Sequence, residues 1–284
     1  MIKSIGVIGN GFVGSALSFG FSPHMKVYIH DKNPKISVNS LDTTVNESDI
    51  IFVCVPTPMN EDGSINLSHI HNVCKKISIV NNRKDNIVVI KSTVVPGTCD
   101  LLREIYPSLN IVFNPEFLTE RKARFDFLNQ TRIILGGSAE LTSKVEQLYK
   151  IIFHSPRIIH TDYKTGEFIK YFANVFFAVK VSFANEMKLI CDAVGVNWEE
   201  ALAGFVSDGR IADSHLNVPG PDGKRGFGGT CFPKDICAFI NFAKKTGIDA
   251  NVVEGAWKTN LQVRTEKDWE KLTGRAVTKG DKNE

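Results

Sequence analysis

The chain has 284 residues, of which 43% are hydrophobic and 23% charged, a composition typical of a folded protein with one large or two modest domains. The formal net charge of +3 is small, and no basic stripe with interleaved aromatic residues is present, which argues against a nucleic-acid-binding surface. The six cysteines are scattered without a C-x-x-C pair, so neither a metal site nor a disulfide framework is indicated. Together with the lack of a signal-peptide pattern, this cysteine usage favours a cytoplasmic location.

The first part of the chain, to about Thr161, alternates short β-rich runs with helical patterns. Helical stretches lie between most of the runs, for example at residues 66–79 and 139–152. Strands that alternate with helices predict an α/β fold with a Rossmann-like, doubly wound parallel sheet. The predicted strands are residues 5–8, 27–30, 50–55, 87–90, 111–113, 132–135 and 157–159.

After Thr161 the pattern becomes helical only. A helix of unusual length is predicted at 165–194, and shorter helices at 198–205, after Pro233 and at 249–272. The long helix carries too many charges for a membrane span, so no membrane association is expected. We therefore predict an NAD-binding Rossmann domain at 1–163, an all-α dimerisation domain at 164–272 and a loose polar tail at 273–284.

The first predicted strand runs into the glycine-rich turn Gly9-Asn10-Gly11-Phe12-Val13-Gly14. This G-x-G-x-x-G pattern between a strand and a helix is typical of dinucleotide-binding sites, because glycines permit a tight turn and close approach of the pyrophosphate. Asp31 ends the second predicted strand, about 20 residues further on, where a ribose-binding carboxylate is expected. A carboxylate accepts from the ribose 2′-hydroxyl and repels a 2′-phosphate, so NAD is predicted over NADP.

Several further segments resemble the nucleotide-sugar dehydrogenase family. They occur in the family's order over the chain to about Arg264, and together they are far more specific than the glycine turn alone. The segments are "GNGFVG" (9–14), "VCVPTP" (53–58), "KSTVVPGT" (91–98), "NPEFLTE" (114–120), "FIKYFANVFFAVKVSFANE" (168–186), "DGRI" (208–211) and "GFGGTCFPKD" (226–235).

The resemblance implies an enzyme that oxidises a sugar primary alcohol to a carboxylate with two NAD and one active-site cysteine, most simply UDP-glucose to UDP-glucuronate. Two oxidations at one carbon pass through an aldehyde, which a thiolate can trap as a thiohemiacetal and then carry as a thioester. Cys231, among three glycines, is the expected nucleophile. Lys234 and a helix starting near Pro233 are expected to lower its pKa.

The remaining site residues are carried over by resemblance. Lys170 is expected to stabilise negative charge on the substrate oxygen, with Asn174 binding the intermediate, and Glu116 to activate the hydrolytic water. Thr93 and Asp235 are expected to position a water. The cofactor contacts expected are Gly9, Gly11, Phe12, Val13, Gly14, Asp31, Thr57, Thr93 and Lys234. The substrate contacts expected are Phe117, Leu118, Glu120, Lys170, Asn174, Arg210, Phe227 and Gly228.

The family's dimer forms through the long central helix, and the apolar stripe on residues 165–194 predicts a homodimer here. In the family, the arginine corresponding to Arg210 reaches the neighbouring subunit's active site.

The chain departs from the family pattern most strongly after Arg264, where no second nucleotide-binding domain follows; we expect either a short member or a fragment. Two alternatives stay open at this stage. One is a β-hydroxyacid or 6-phosphogluconate-type dehydrogenase, which does not need the cysteine motif. The other is a catalytically weak NAD-binding partner subunit, against which the full set of site residues speaks.

Overall fold

The computed structural model describes residues 2–155 and 157–278. The chain divides into two compact units, the first made of residues 1–57 and 67–170 and the second of residues 58–66 and 171–284. The segment 58–66 thus leaves the first unit and belongs to the second. The predicted domain boundary at 163/164 stays a prediction.

The first unit contains a seven-stranded sheet with helices between its strands, in the order β2-β1-β3-β4-β5-β6-β7. The strands β3 and β4 are continuous apolar runs, IIFV and IVVI, buried at every position, as expected for strands covered on both faces. The strands are β1 (Ser4–Ile8), β2 (Lys26–His30), β3 (Ile50–Val53), β4 (Ile87–Ile90), β5 (Asn110–Phe113), β6 (Ile133–Gly136) and β7 (Ile158–Thr161).

Helices connect these strands as the alternating pattern predicts. They are α1 (Phe12–Phe21), α2 (Leu41–Asn46), α3 (Ser68–Val80), α4 (Thr98–Ile105), α5 (Ala123–Leu128) and α6 (Ala139–Ile152). A short 3-10 helix, Glu120–Lys122, precedes α5. Two buried hydrophobic clusters flank the sheet, one built around Phe21, Phe52 and Tyr149 and the other around Val53, Ile90 and Phe113.

The predicted doubly wound α/β fold is confirmed, but the sheet is not parallel throughout. β6 pairs antiparallel with β5 through Phe113 and Gly136, while β7 runs parallel to β6. The connection between these two strands, residues 114–132, contains only the 3-10 helix and the six-residue α5, which packs against α1 through Phe127, and it lacks the long helix typical of a parallel crossover.

The helix α7 (Tyr163–Val194) has 32 residues, and the boundary between the units falls after its Lys170. It starts two residues before the predicted position, because the Asp162 carboxylate accepts the Thr165 backbone N–H and its hydroxyl hydrogen at the first turn. It ends before Gly195, whose φ of +73° closes the helix with a left-handed residue.

The second unit contains α8 (Trp198–Val206), α9 (Phe232–Lys245) and α10 (Asn251–Val263). The side-chain oxygen of Asn197 accepts from the N–H groups of Glu199 and Glu200 and so starts α8. Two buried clusters form here, one around Phe227, Ile236 and Ala256 and the other around Trp198, Leu216 and Val218.

The predicted helix at 249–272 is wrong in its extent. In the structure, α10 ends at Val263, and a separate 3-10 helix, Asp268–Lys271, follows. The buried Arg264 adopts an extended backbone and pairs with both Asp222 and Asp268, while Trp269 turns back against Trp257 with 5.5 Å between ring centroids. These tertiary contacts outweigh the continuation of the helix.

The expectation of a loose tail is also wrong for residues 273–278. The Thr278 N–H donates to the Met59 carbonyl, the Met59 N–H donates to the Ala276 carbonyl, and Ala276 is buried. The segment 58–66 thus supplies a partner for the tail within the second unit. Residues 279–284 lie outside the described residues.

Candidate active site

The glycine turn after β1 has the geometry of a dinucleotide cradle. Gly9 has a φ of +96°, and a Cβ there would lie 2.7 Å from the Cys54 carbonyl oxygen. A Cβ on Gly14 would lie 2.0 Å from the Gly9 carbonyl oxygen, so both positions require glycine. A Cβ on Gly11 would meet no atom within 4 Å, so open space lies in front of this turn, directly before Phe12 and the first turn of α1.

Asp31 lies beside this turn, as predicted. Its Oδ2 accepts the Asn10 backbone N–H at 2.7 Å, and its Oδ1 accepts the Asn33 backbone N–H at 2.8 Å. Asn10 Oδ1 is buried without a hydrogen-bond partner among residues 2–155 and 157–278. Open space, helix N–H groups, a carboxylate and an unpaired buried oxygen fit the pyrophosphate and ribose of NAD.

Two further predicted residues follow β3 and β4 at the carboxyl edge of the sheet. Thr57 is buried, and its hydroxyl donates to the backbone carbonyl of Thr93 at 2.8 Å. Thr93 is buried as well, in the loop that joins β4 to α4. The open α/β fold places its ligands at this edge.

Glu116 and Lys170 form a buried ion pair, with 3.0 Å between Oε1 and Nζ. Both side chains are less than a tenth exposed, at 8% and 3%. The other carboxylate oxygen of Glu116 accepts the Leu118 backbone N–H at 2.6 Å, which fixes the orientation of the group. The Lys170 ammonium also lies 5.3 Å from the centroid of the Phe117 ring.

The predicted residues around this pair are less buried. Phe117 and Leu118 are half-buried, and Glu120 is exposed at the start of the 3-10 helix. The structure therefore brings Thr57 to Thr93, and Glu116 to Lys170 and Leu118, within the first unit.

A second cluster lies at the N-terminus of α9 in the second unit. Cys231 is half-buried and immediately precedes the first residue of α9, with Pro233 in the first turn. Asp235 is buried, and its Oδ2 accepts from Asn174 Nδ2 at 2.6 Å while its Oδ1 accepts from Lys234 Nζ at 2.5 Å. The Lys234 ammonium, expected to act on the thiol, is held by this carboxylate.

The glycine loop before Cys231 is held by residues that the sequence analysis did not identify. Asn260 is fully buried; its Oδ1 accepts the Phe227 N–H at 2.7 Å, and its Nδ2 donates to the Phe227 carbonyl. A Cβ on Gly228 would lie 2.1 Å from Asp268 Oδ1, so this position also requires glycine. An asparagine on the otherwise apolar inner face of a helix is the one sequence signal that could have indicated this role.

Arg210 stands apart from these contacts. Its guanidinium pairs with Asp208 at 2.5 Å and is 90% exposed. Its predicted role in a neighbouring subunit stays a prediction. Within the described residues, no cluster of three or more His, Cys, Asp or Glu is placed to hold a metal ion. No helix of the described ranges is both long enough and apolar enough to cross a membrane.

The cradle, Asp31 and the sheet define a Rossmann-type dinucleotide-binding protein, and comparison with known proteins gives its family. Residues 22–153 match the family model "UDP-glucose/GDP-mannose dehydrogenase family, NAD binding domain". Residues 164–262 match the model for the central domain of the same family. The chain belongs to this family and carries its NAD-binding domain, so the resemblance is confirmed.

Curated relatives and solved structures agree with this family assignment. A UDP-glucose 6-dehydrogenase of Rickettsia felis is 33% identical over 91% of this chain, and the chain spans 65% of that protein. The structure of a UDP-glucose dehydrogenase from Pyrobaculum islandicum has a TM-score of 0.82 and 27% identity, covering 92% of this chain and 68% of the other.

A 3-hydroxyisobutyrate dehydrogenase of Mycobacterium tuberculosis has a TM-score of 0.74 and 16% identity, covering 92% of this chain and 94% of the other. At that identity the likeness shows the fold alone. The chain spans about half the length of other curated relatives that it matches.

Proposed function

We propose that this chain takes part in the NAD-dependent oxidation of a nucleotide-sugar primary alcohol to the uronate, with UDP-glucose as the substrate. The observation that carries the proposal is the cluster at the start of α9, where Cys231 on a glycine loop stands beside the buried Asn174, Lys234 and Asp235. A hydroxyacid dehydrogenase has no use for a thiol at this position. The family membership supports the same reaction.

The first unit holds the cofactor in this proposal. The N–H groups at the start of α1 would bind the pyrophosphate, Asp31 would accept from the ribose, and Thr57 is proposed as the contact on the nicotinamide side. When bound there, NAD would supply the hydride acceptor for each of the two oxidations of the substrate carbon. Lys234 is proposed as a further cofactor contact.

In this proposal Lys170 acts on the alcohol oxygen of the substrate, and Glu116 acts on the hydrolytic water. The Lys170 ammonium stabilises the negative charge that develops on the alcohol oxygen, an effect that is large in a site shielded from water. Glu116 is the base that takes a proton from the hydrolytic water. Their buried ion pair, with 3.0 Å between Oε1 and Nζ, holds the two side chains together before substrate binds.

Cys231 carries the covalent step. The thiolate sulfur adds to the aldehyde carbon to give a thiohemiacetal, whose oxidation leaves a thioester. Water, deprotonated by Glu116, then attacks the thioester carbon, the carbon–sulfur bond breaks with the Cys231 thiolate as the leaving group, and the product is released as a carboxylate. Asn174 and Asp235 bind the intermediate and a water, and Thr93 assists. Phe117, Leu118, Glu120, Phe227 and Gly228 are proposed as substrate contacts.

We also propose a homodimer, located in the cytoplasm, that forms through α7. Phe172, Phe176 and Phe183 are 64%, 54% and 47% exposed on this helix, and a partner helix would cover them. Val175, an apolar residue of the same helix, is instead buried at 6% and is not part of this exposed surface. Sedimentation at micromolar concentration tests the dimer, and a monomer there would remove the proposed role of Arg210.

The reaction is tested by incubating the full chain with NAD and a panel of sugar nucleotides and following NADH formation. We expect NADH from UDP-glucose, two per substrate consumed, with uronate as the product. A ratio of one NADH with an aldehyde product would contradict the cysteine mechanism. If 3-hydroxy acids gave NADH and none of the sugar nucleotides did, the result would favour a β-hydroxyacid dehydrogenase.

A further inference from the structure

Lys91 is a buried lysine that none of the steps above uses. It directly follows β4 and is only 4% exposed. Its Nζ donates to Asn114 Oδ1 at 2.9 Å and to the Pro115 carbonyl oxygen at 3.4 Å. Asn114 and Pro115 are the two residues before Glu116, so the ammonium is bonded to the segment that carries the proposed base.

The same segment is held from two other elements. The Tyr149 hydroxyl on α6 donates to Asn114 Oδ1 at 2.5 Å, and Asn114 Nδ2 donates to the Ile134 carbonyl oxygen on β6 at 2.8 Å. Lys91 Nζ also lies 3.5 Å from the Tyr149 hydroxyl oxygen. A buried network of hydrogen bonds thus fixes both the Asn114 side chain and the Pro115 carbonyl group.

The charge of Lys91 is the unusual part of this network. Its hydrogen bonds go to the neutral oxygens of Asn114, Pro115 and Tyr149, and a buried ammonium without a carboxylate in direct contact is costly. Burial lowers the pKa of Lys91 to about 8, opposed by the Cys54 thiol and the Glu116 carboxylate and assisted by the Lys170 ammonium. A methionine would fill similar space without this cost, which points to a purpose for the cation.

We propose that Lys91 is a positioning residue for Glu116: its ammonium bonds the Asn114-Pro115 segment and, together with Lys170, holds the carboxylate in its observed orientation. This inference rests on the proposed function only where it names Glu116 as the base. The positioning itself is a property of the first unit and has a readout that needs no substrate.

The Leu118 backbone N–H supplies that readout, because it donates to Glu116 Oε2. Residue-specific amide exchange is measured by NMR on the wild-type chain and on Lys91→Met. We expect exchange at Leu118 to become about tenfold faster, the factor for losing one hydrogen bond to a charged group. The Gly97 N–H, which donates to Glu167, serves as the control and should change by less than about twofold.

Equal acceleration at Leu118 and Gly97 would show general loosening of the unit, and unchanged exchange at Leu118 would show that Glu116 does not depend on Lys91. Either result overturns the proposal. Tyr149→Phe removes one donor to Asn114 but keeps the ammonium, so it should accelerate Leu118 exchange less than Lys91→Met. If Lys91→Met does not fold, unchanged Leu118 exchange in Tyr149→Phe counts against the network.

Enzyme kinetics provide an independent test of the Lys91 proposal. Lys91→Met should lower kcat for acid formation without changing NAD binding, and it should have little further effect in a Glu116→Gln background. An equal loss of kcat in both backgrounds would mean that Lys91 does not act through Glu116. If the wild-type chain forms no acid, the proposed function fails while the exchange result still decides the positioning role.

Discussion

Glu167, near the start of α7, is a fully buried carboxylate in the first unit. Its Oε2 accepts the Gly97 backbone N–H at 2.6 Å and its Oε1 the Cys99 backbone N–H at 2.7 Å, so it caps the start of α4 from another helix. We predict that replacing it by glutamine removes a specific pH dependence of stability.

Burial raises the pKa of Glu167 from 4.5 to about 7, although the hydrogen bonds from Cys99 and Gly97 act in the opposite direction and Asp100 adds to the rise. A raised pKa means that the native state binds the proton more tightly than the unfolded state. The stability contributed by Glu167 is therefore fully present below pH 4.5 and is lost as the pH rises through about 7. At about 1.4 kcal/mol for each tenfold change in proton affinity, the loss is about 3 kcal/mol.

The measurement is the free energy of unfolding in urea, followed by far-ultraviolet circular dichroism at several pH values between pH 4.5 and pH 8. The wild-type value minus the Glu167→Gln value should fall by about 3 kcal/mol over this range. Glu104→Gln, at an exposed position on α4, is the matched control and should show little change. A difference that stays constant or grows with pH would refute the reasoning, because the two backbone N–H donors would then outweigh burial.

Three further outcomes are expected. Asp31→Ala should weaken NAD binding and narrow the preference for NAD over NADP, as measured by calorimetry. Equal binding of NAD and NADP by the wild type would contradict the role of Asp31 in binding the ribose. Cys231→Ser should block acid formation while sparing NAD binding, whereas Cys191→Ser should retain acid formation; wild-type rates of acid formation in Cys231→Ser would exclude the covalent step. Because the pKa of Lys91 is lowered from 10.5 to about 8, the wild type should gain stability relative to Lys91→Met as the pH rises above 8, and a flat difference in urea titrations would count against that shift.

The strands of the first unit were predictable because their local pattern is strong. Short β-branched, apolar runs flanked by polar or glycine residues can be buried on both faces of a sheet, and all seven predicted runs overlap observed strands. The direction of β6 was not predictable in the same way. Direction depends on the path of residues 114–132, which no periodicity in those residues reveals.

The site was predictable only as far as its residues lie in recognisable motifs. The contacts of Asp31 with the glycine turn, and of Glu116 with Lys170, appear at positions that the motifs indicated. The network of Lys91, Asn114 and Tyr149 joins residues 23 and 58 positions apart, and no local rule predicts such contacts. The prediction of where α10 ends was wrong for the same reason, since the conformation of Arg264 depends on its ion pairs with Asp222 and Asp268.

All three tryptophans of the chain, Trp198, Trp257 and Trp269, lie in the second unit, whereas four of its five tyrosines lie in the first. Selectively excited indole emission therefore reports on the second unit alone, and the Trp257–Trp269 pair makes it sensitive to the fold of residues 251–271. The native chain thus carries its own optical probe for unfolding of the second unit, without added label.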